Sequence, residues 1–386
     1  MTQASVTQDS DVVRLLAGTA PDHGGMTTTA LPAAAAPRRP AWVTARTLTI
    51  VALVVALFVV ALPNVSGAPW LLIGHQLQQV PFWQLGLLAL LWAGGLLLHT
   101  ITLTAALPGL SHRRALTLSL TGSAISNVLP FGGAAGIALN YRMIRIWGHD
   151  RAAFATYTVI TNIWDVLVKL SLPLVALPVL FLTGSAVVGQ YAGAALVATV
   201  TGAALLGLVA AIVVSGRATA RVGAALDATW RQVLRAARVE RDVAIGAWLV
   251  RLRSDCSSLV RSRWPRLTTG MLTYTATLAV LLWGCLYAAG AGLPLGAVLV
   301  GFAAERLLTL AGLTPGGAGL VEVGLAGLLV ALGGDPVAVV SGVLLYRLFT
   351  FGLEIPVGGV SLAAWLWIRR GARPEPGDVS GEDVAA

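Results

Sequence analysis

Seven ionisable side chains lie in stretches otherwise apolar enough for hydrocarbon: Asp165, Lys169, Glu305, Arg306, Glu322, Arg347 and Glu354. Facing lipid, each would cost roughly 2.5–3.5 kcal/mol near the bilayer centre, about 20 kcal/mol together. That exceeds the ~5–15 kcal/mol by which a whole domain is stable. They must therefore face protein or a water-filled interior. Thr158, Thr161, Asn162, Asp165 and Lys169 fall on one stripe of a helix, and Arg347, Thr350 and Glu354 on a shorter one. Such groups do electrostatic chemistry: a guanidinium holds a phosphate or carboxylate, and a carboxylate holds an amine. The plainer reading is that Asp165 with Arg347, and Glu305 with Arg306, only pin helices together. At ~1.5 Å per residue, Asp165 lies about 21 Å in from Arg151 and Arg347 about 16 Å in from Pro336, both deep. Lys169 and Glu354 would lie about 27 Å along, towards the far interface, where a lysine can snorkel; they are set aside.

Two interruptions accompany these charges. "SNVLPFGGAAG" (Ser126 to Gly136) and "GLTPGGAGLVE" (Gly312 to Glu322) each place Pro and paired Gly inside an apolar region. Proline ends a helix, and freed backbone groups are tolerated at membrane depth only where they are buried in protein or line a cavity. The helix starting after each Gly pair would offer backbone N–H groups to a phosphate. Catalysis is harder to find. An enzyme acting on polyprenyl or phospholipid would need a metal cluster, a Ser/His pair or two carboxylates in reach. The five histidines form no cluster, and His99, the one in a membrane segment, has no partner visible in the sequence. Cys256 and Cys285 imply no disulfide framework, and no stretch reads as a nucleotide-binding loop. The chain reads as no enzyme, with no cofactor and no metal.

The elements that position these residues follow from composition. The chain is 56% hydrophobic and 11% charged, and about 20 apolar residues cross a ~30 Å hydrocarbon core. Such runs recur at 47–62, 82–106, 166–182, 192–214, 267–289 and 337–368. Residues 1–45, rich in Ala, Thr and Pro, read as a disordered cytoplasmic N-terminus. That stretch is too long for an ordinary signal peptide, so the first span is expected to be retained. Residues 371–386 read as a disordered tail.

Lys and Arg mark cytoplasmic loops. Arg38, Arg39 and Arg46 put the N-terminus inside, and "PNVSGAPWLLIGHQLQQVP", without Lys or Arg, is an outside loop. If residues 115–141 crossed the bilayer, Arg142, Arg145 and Arg151 would lie outside. A hairpin that dips in and turns at Pro130–Gly133 keeps them inside. Residues 295–332, flanked by uncharged "AGLPLG" and "LGGDP", read as a hairpin entered from outside. By this count 23 of the 26 basic residues are cytoplasmic, the exceptions being Lys169, Arg306 and Arg347. The reading is an all-α polytopic integral membrane protein with about six transmembrane helices, two re-entrant helical hairpins and both termini cytoplasmic.

The two halves, 46–215 and 267–370, match. Each hairpin is followed, 17 or 18 residues past its Gly pair, by a Gly-linked aspartate, Asp150 or Asp335, that should cap a long helix. With opposite charge bias they form an inverted repeat, an architecture whose substrate site lies where the units meet. Between them, residues 216–266 hold eleven arginines. Arg231, Arg235, Arg238 and Arg241, interleaved with Trp230, Leu234 and Trp248, read as a cytoplasmic amphipathic linker on anionic lipid or as a plain positive-inside signal. Nucleic acid is not expected as a partner.

At these motifs the chain resembles the membrane region of the lysylphosphatidylglycerol synthase, or flippase-like, family, whose best-known member is the multiple peptide resistance factor. The family pattern "NNLLP-GG-G" stands here as "SNVLPFGGAAG", "ERLLD" as "TNIWD" (Thr161–Asp165), and "PGGLGVRE" as "TPGGAGLVE". Its late "YR" pair stands as Tyr346 and Arg347. The likeness covers about residues 45–370 and departs at Thr161 and Asn162, where the family carries an acid–base pair. It implies that Asn127, Pro130, Gly132, Gly133, Asp165, Pro315, Gly316, Gly317, Glu322, Tyr346 and Arg347 are site residues. Asn162, Glu305 and Arg306 join them on position alone. Only about 16 residues follow Arg370, so aminoacyl transfer by this chain is not expected.

The expectation is a lipid flippase or translocase in a bacterial-type inner membrane. It would move a phospholipid with an anionic or aminoacylated head group through a polar cleft between the hairpins. Arg347 would meet the phosphate, while Asp165 and Glu322 would balance it or meet an amine. An embedded enzyme and a scaffold recruiting a synthase through 216–266 are the alternatives, and a homo-oligomer is compatible with all three.

Overall fold

The computed structural model describes residues 54–129, 132–182, 245–310 and 314–371, with isolated helical positions at 49, 52, 193, 197, 199–204 and 207. The N-terminal 45 residues, Pro130, most of the 192–214 run, residues 216–244 of the linker and the last 15 residues lie outside this set. Among the described residues every regular element is helical. Four helices are long and apolar enough to cross a membrane: α3 (Phe82–Ala106), α6 (Arg151–Leu182), the Cys256–Ala288 part of α7 (Ile245–Ala288), and the helical run Pro336–Arg369. A fifth span is added if α1 (Val54–Ser66) and α2 (Trp70–Gln78), bent by 89° at Gly67–Pro69, count as one broken unit.

That bend departs from the outside loop expected at 63–81. Gly67, at φ 73°, ends α1 in the left-handed conformation, and Pro69 starts α2. The segment is therefore two helices packed on the second half of the chain, α1 on α9 (Leu320–Ala331) and α2 on α10 (Pro336–Arg347). Uncharged loops and short amphiphilic helices look alike by composition. The helix expected from residue 267 also begins earlier, at Ile245, so part of the arginine-rich linker is continuous with the span.

The spine of the molecule is the pair α3 and α7. Gly284 faces Leu88, Gly95 faces Thr277, and Gly270 faces Thr102 at 2.6–3.1 Å from an added Cβ. Successive contacts step seven residues up one helix and seven down the other, so the two run antiparallel with a small residue at each crossing point. Close backbone approach through small residues is how helices associate in lipid. The two larger apolar cores draw on this pair: Leu88, Leu281 and Leu282 in one, Leu103, Leu267 and Met271 in the other.

Helix-turn-helix hairpins occupy both sequence breaks. In the first, α4 (His112–Val128) and α5 (Gly132–Ile146) run antiparallel, with Gly122 against Asn140 and Gly136 against Ser126. In the second, α8 (Leu295–Leu310) turns through a tight Pro315–Gly317 segment into α9, with Gly301 against Leu325 and Leu329. Arms of 12 to 17 residues span at most about 26 Å at ~1.5 Å per residue, short of a full crossing. Both predicted aspartate caps are formed: Asp150 accepts from the Ala153 N–H at 2.7 Å and Asp335 from the Ala338 N–H at 2.9 Å. The helix after Asp335 is not uniform. A π-helical segment, Leu348–Gly352, separates α10 from α11 (Glu354–Gly371).

The two glycines of the first pair have different duties. A Cβ on Gly132 would sit 2.4 Å from the Ser126 carbonyl oxygen and 2.6 Å from that of Ile125, whereas one on Gly133 meets nothing within 4 Å. Gly132→Ala is expected to destabilise the protein by about 1–3 kcal/mol, the usual range for overpacking. Gly133→Ala should be neutral or stabilising by up to ~1 kcal/mol. Unfolding midpoints of the two variants in detergent check this; equal shifts would contradict the packing.

Candidate functional site

The hairpin breaks meet. Asn127, at the end of α4, places its Oδ1 2.6 Å from where a Gly316 Cβ would stand, and the Phe351 ring lies 2.5 Å from that same point. Gly316 is in the left-handed region at φ 56°, as are Gly317 at 74° and Gly319 at 85°. Only glycine combines that backbone with so close an approach. The second break is thus shaped to receive the tip of the first hairpin on one side and the π segment after α10 on the other.

Arg347 closes this junction. It is the last residue of α10, 7% exposed, and its Nε donates to Glu322 Oε1 at 2.6 Å while Nη2 donates to the Gly316 carbonyl at 2.8 Å. Its guanidinium also lies over the Phe351 ring at 5.1 Å. Glu322, 2% exposed, has a second duty: its Oε2 accepts from the Gly319 N–H at 2.7 Å and caps α9. A buried charge needs a partner and its remaining hydrogen bonds, and Glu322 has both. The α9 N-terminus, expected to offer N–H groups to a phosphate, therefore already has a carboxylate on its first one. The guanidinium has five N–H donors, of which the contacts to Glu322 and Gly316 take two among the described residues. Two residues before Gly316, the buried Thr314 hydroxyl has no hydrogen-bond partner among the described residues.

A second charged knot lies one step away on the chain. Arg306 on α8 grips its neighbour Glu305, which is fully buried, through two guanidinium nitrogens, and Nη2 also donates to the Tyr346 hydroxyl at 3.1 Å. Tyr346 is itself fully buried. The adjacent Tyr346 and Arg347 thus bind the two arms of the second hairpin, α8 through Arg306 and α9 through Glu322.

The remaining site residues divide. Asp165 is paired with Lys169 at 2.7 Å, one turn along α6, rather than with an arginine of the other half. Lys169 does not snorkel away, because its side chain is 14% exposed and Asp165 40%. Asn162 is exposed and donates to its own helix at the Thr158 carbonyl, 2.7 Å away, so its amide is spent locally and stays outside the cluster. Gly133 stands in open space, and Gly317 turns the second break. Of Pro315 the backbone turn alone is described, and Pro130 lies outside the described residues.

Three residues that the sequence hid join the site. Glu354, set aside as interfacial, sits against the Ser123 and Asn127 side chains of the first hairpin. His99 has partners after all: its ring stacks on Tyr274 at 4.3 Å, and Nδ1 lies 3.5 Å from Ser119 Oγ. Tyr274, in turn, lies close enough to Asp165, Glu305, Arg306 and Glu354 to feel their charge. Neither contact could be inferred from sequence, since α3, α4 and α7 meet only in the fold. Among the described residues no three His, Cys, Asp or Glu groups converge as metal ligands. A cavity of about 230 Å³ opens elsewhere, lined by Ala106, Pro108, Asp150, Thr156 and Leu259, and includes none of the paired charges.

No curated protein matches the chain. The family described as "Lysylphosphatidylglycerol synthase TM region" matches residues 48–358, a range holding both hairpins, all three ion pairs and Glu354. The chain is a multi-pass membrane protein of the lysylphosphatidylglycerol synthase transmembrane-region family.

Proposed function

We propose that the protein moves a charged-head-group phospholipid across a bacterial-type cytoplasmic membrane, both termini being cytoplasmic, and that it makes or breaks no bonds itself. The observation that carries this reading is the junction of Asn127, Gly316, Glu322 and Arg347. Two interrupted hairpins meet there on a buried guanidinium within a family tied to lipid modification and movement. A span built only for anchorage has no use for an arginine at that depth. Arg347, with N–H donors beyond those held by Glu322 and Gly316, is the group that receives an anionic phosphate. Glu322 balances the guanidinium when no lipid is present, and Asp165 with Lys169 lines the path from the other half. The lipid tail remains in the bilayer throughout, so only the head group needs the polar surface.

The embedded-enzyme alternative has one contact in its favour, His99 with Ser119. At 3.5 Å it is at the limit of a hydrogen bond, and among the described residues no hydrogen bond to the other ring nitrogen holds the imidazole as a base would require. Ser119→Ala is expected to leave lipid movement unchanged.

Replacing Arg347 alone strands Glu322 without its cation, which costs about 3–5 kcal/mol when a buried pair is broken. The informative variant is Glu322→Gln with Arg347→Gln, which removes both charges together. It should insert and purify normally yet lose at least tenfold in transbilayer movement of a fluorescent anionic phospholipid in proteoliposomes, and Arg347→Lys, lacking the fork, should not restore it. Undiminished movement in the double variant would remove Arg347 from the function. Topology is checked separately by cysteine labelling: positions 291–296 should react only from outside and 141–150 only from inside.

A further inference from the structure

The bend between α1 and α2 leaves an apolar surface that packing within the protein does not cover. Between Arg46 and Arg113 the sequence holds no Asp, Glu, Lys or Arg, so this stretch offers an ionic partner almost nothing to grip. α2 has two sides. On one, Ile73 is buried and Leu77 packs against the core that holds Leu88 and Leu281. The Gln76 Nε2 donates to the Ala289 carbonyl at 2.9 Å, and the Ile73 carbonyl accepts from the Ser341 hydroxyl at 3.5 Å. These contacts seat α2 across the end of α7 and the first turns of α10. The other side is bare: Leu71 is 80% exposed and Leu72 50%. Polarity is uneven along the axis as well. Trp70, Leu71 and Leu72 make the first turn, whereas His75, Gln78 and Gln79 are exposed towards the other end. Nine residues at ~1.5 Å each give a rod of about 14 Å. Turned by 89° from α1, such a rod adds little to the crossing of a ~30 Å hydrocarbon core.

What adjoins the bare side identifies its occupant. Before the bend α1 exposes Val59, Val60 and Val65, and after it α3 exposes Phe82, Trp83 and Leu87. The apolar side of α2 is continuous with these lipid-facing surfaces. Aromatic rings gather at the same level: Trp70, Phe82, Trp83 and Tyr287, the last on the final turn of α7, are all exposed. Trp and Tyr concentrate at the membrane–water boundary. We propose that α2 is an interfacial helix that docks on the lipid leaflet at this face and does not cross the membrane. It enters obliquely, with the Trp70–Leu72 turn among the upper acyl chains and the Gln78 end among the head groups. The bend is held for this purpose from within: the Trp70 indole donates to the Val59 carbonyl at 3.1 Å and stacks on Phe58 at 6.0 Å. Interfacial helices bind through buried apolar area plus attraction of basic residues to anionic lipid. α2 lacks Lys and Arg, so apolar burial alone holds it, and it takes zwitterionic and anionic lipid alike. Which leaflet this is follows from the orientation proposed above; the contact with lipid does not depend on it.

Spin labelling of the full-length protein in phosphatidylcholine vesicles tests this. Leu71 and Gln78 are both exposed, so a nitroxide on Leu71→Cys or Gln78→Cys displaces no packing. Cys256→Ser removes one native thiol, and the buried Cys285 stays in place; that background without a further cysteine is the blank. The two labels stand about 10 Å apart along the helix. Collision with oxygen relative to a water-soluble nickel chelate should be severalfold higher at Leu71 than at Gln78. It should also be lower at Leu71 than at Leu90→Cys, an exposed position well inside α3. Equal, water-like access at Leu71 and Gln78 would mean that α2 stands clear of lipid, which overturns the proposal. A label at Leu71 as deep as one at Leu90 would make α2 part of a broken span, which overturns it as well. Loss of access to both reagents at Leu71 and Gln78, the mark of a protein partner or a second copy, does the same. Replacing part of the lipid with phosphatidylglycerol should leave the ratio at Leu71 unchanged, and a severalfold change would overturn docking by apolar burial alone.

Discussion

The fold depends on holding a guanidinium far from water. Arg347 can stay where it is only because Glu322 supplies the opposite charge and the broken backbone at Gly316 supplies a carbonyl. In an unbroken helix that carbonyl would be spent on the next turn. The break at Pro315–Gly317 is therefore no defect for the rest of the protein to tolerate. It releases the acceptor that a buried arginine needs, and the left-handed glycines let the chain turn without side chains in the way. The capping box extends the same logic, since Glu322 meets both the arginine and the first free N–H of α9. Arginine, carboxylate and break each make the other two affordable in hydrocarbon, and removing any one leaves an unpaired polar group.

Around that centre, close packing of small residues does what the hydrophobic effect does in water. Lipid tails are as apolar as leucine, so helices gain little by hiding apolar faces from them. The seven-residue steps of Gly and Thr along α3 and α7 bring backbones together where van der Waals contact is dense. Gly358 does the same for α11 on α4, with an added Cβ only 2.2 Å from the Leu120 carbonyl oxygen. That second seam matters for the site, because it holds Glu354, four residues earlier, against Ser123 and Asn127 on the same neighbour.

Periodicity and charge arithmetic carried much of this before any coordinates. The span 82–106 coincides with α3, the long helix after Arg151 and the last helix lie where apolar runs put them, and Asp150 and Asp335 cap as their positions required. The importance of Pro-Gly-Gly and of Arg347 was legible because both are expensive in lipid. What stayed hidden was partnership. Asp165 and Arg347, alike in repeat position, invite pairing, yet each found a nearer partner, one on its own helix and one on the adjacent hairpin. Glu354 and His99 were hidden because their neighbours come from helices distant in sequence. The helix Trp70–Gln78 was missed because a stretch without Lys or Arg between two apolar runs reads as an outside loop, although its apolar residues repeat with helical period.

The departure at Thr161 and Asn162 takes on meaning against the ion-pair count. The acid–base pair that the family carries there would add one charge of each sign to the α6 stripe; here a hydroxyl and an amide are satisfied by their own helix at Tyr157, Thr158 and Thr158 again. Such a substitution is neutral in charge, so it leaves the sum over the membrane segments as it was, four carboxylates against three cations. The surplus negative charge therefore belongs to the second half and to the contact it makes with the first hairpin. The protein's electrostatics are thus concentrated at the meeting of the hairpins, where Asn127 lies against Gly316 and beside Glu354.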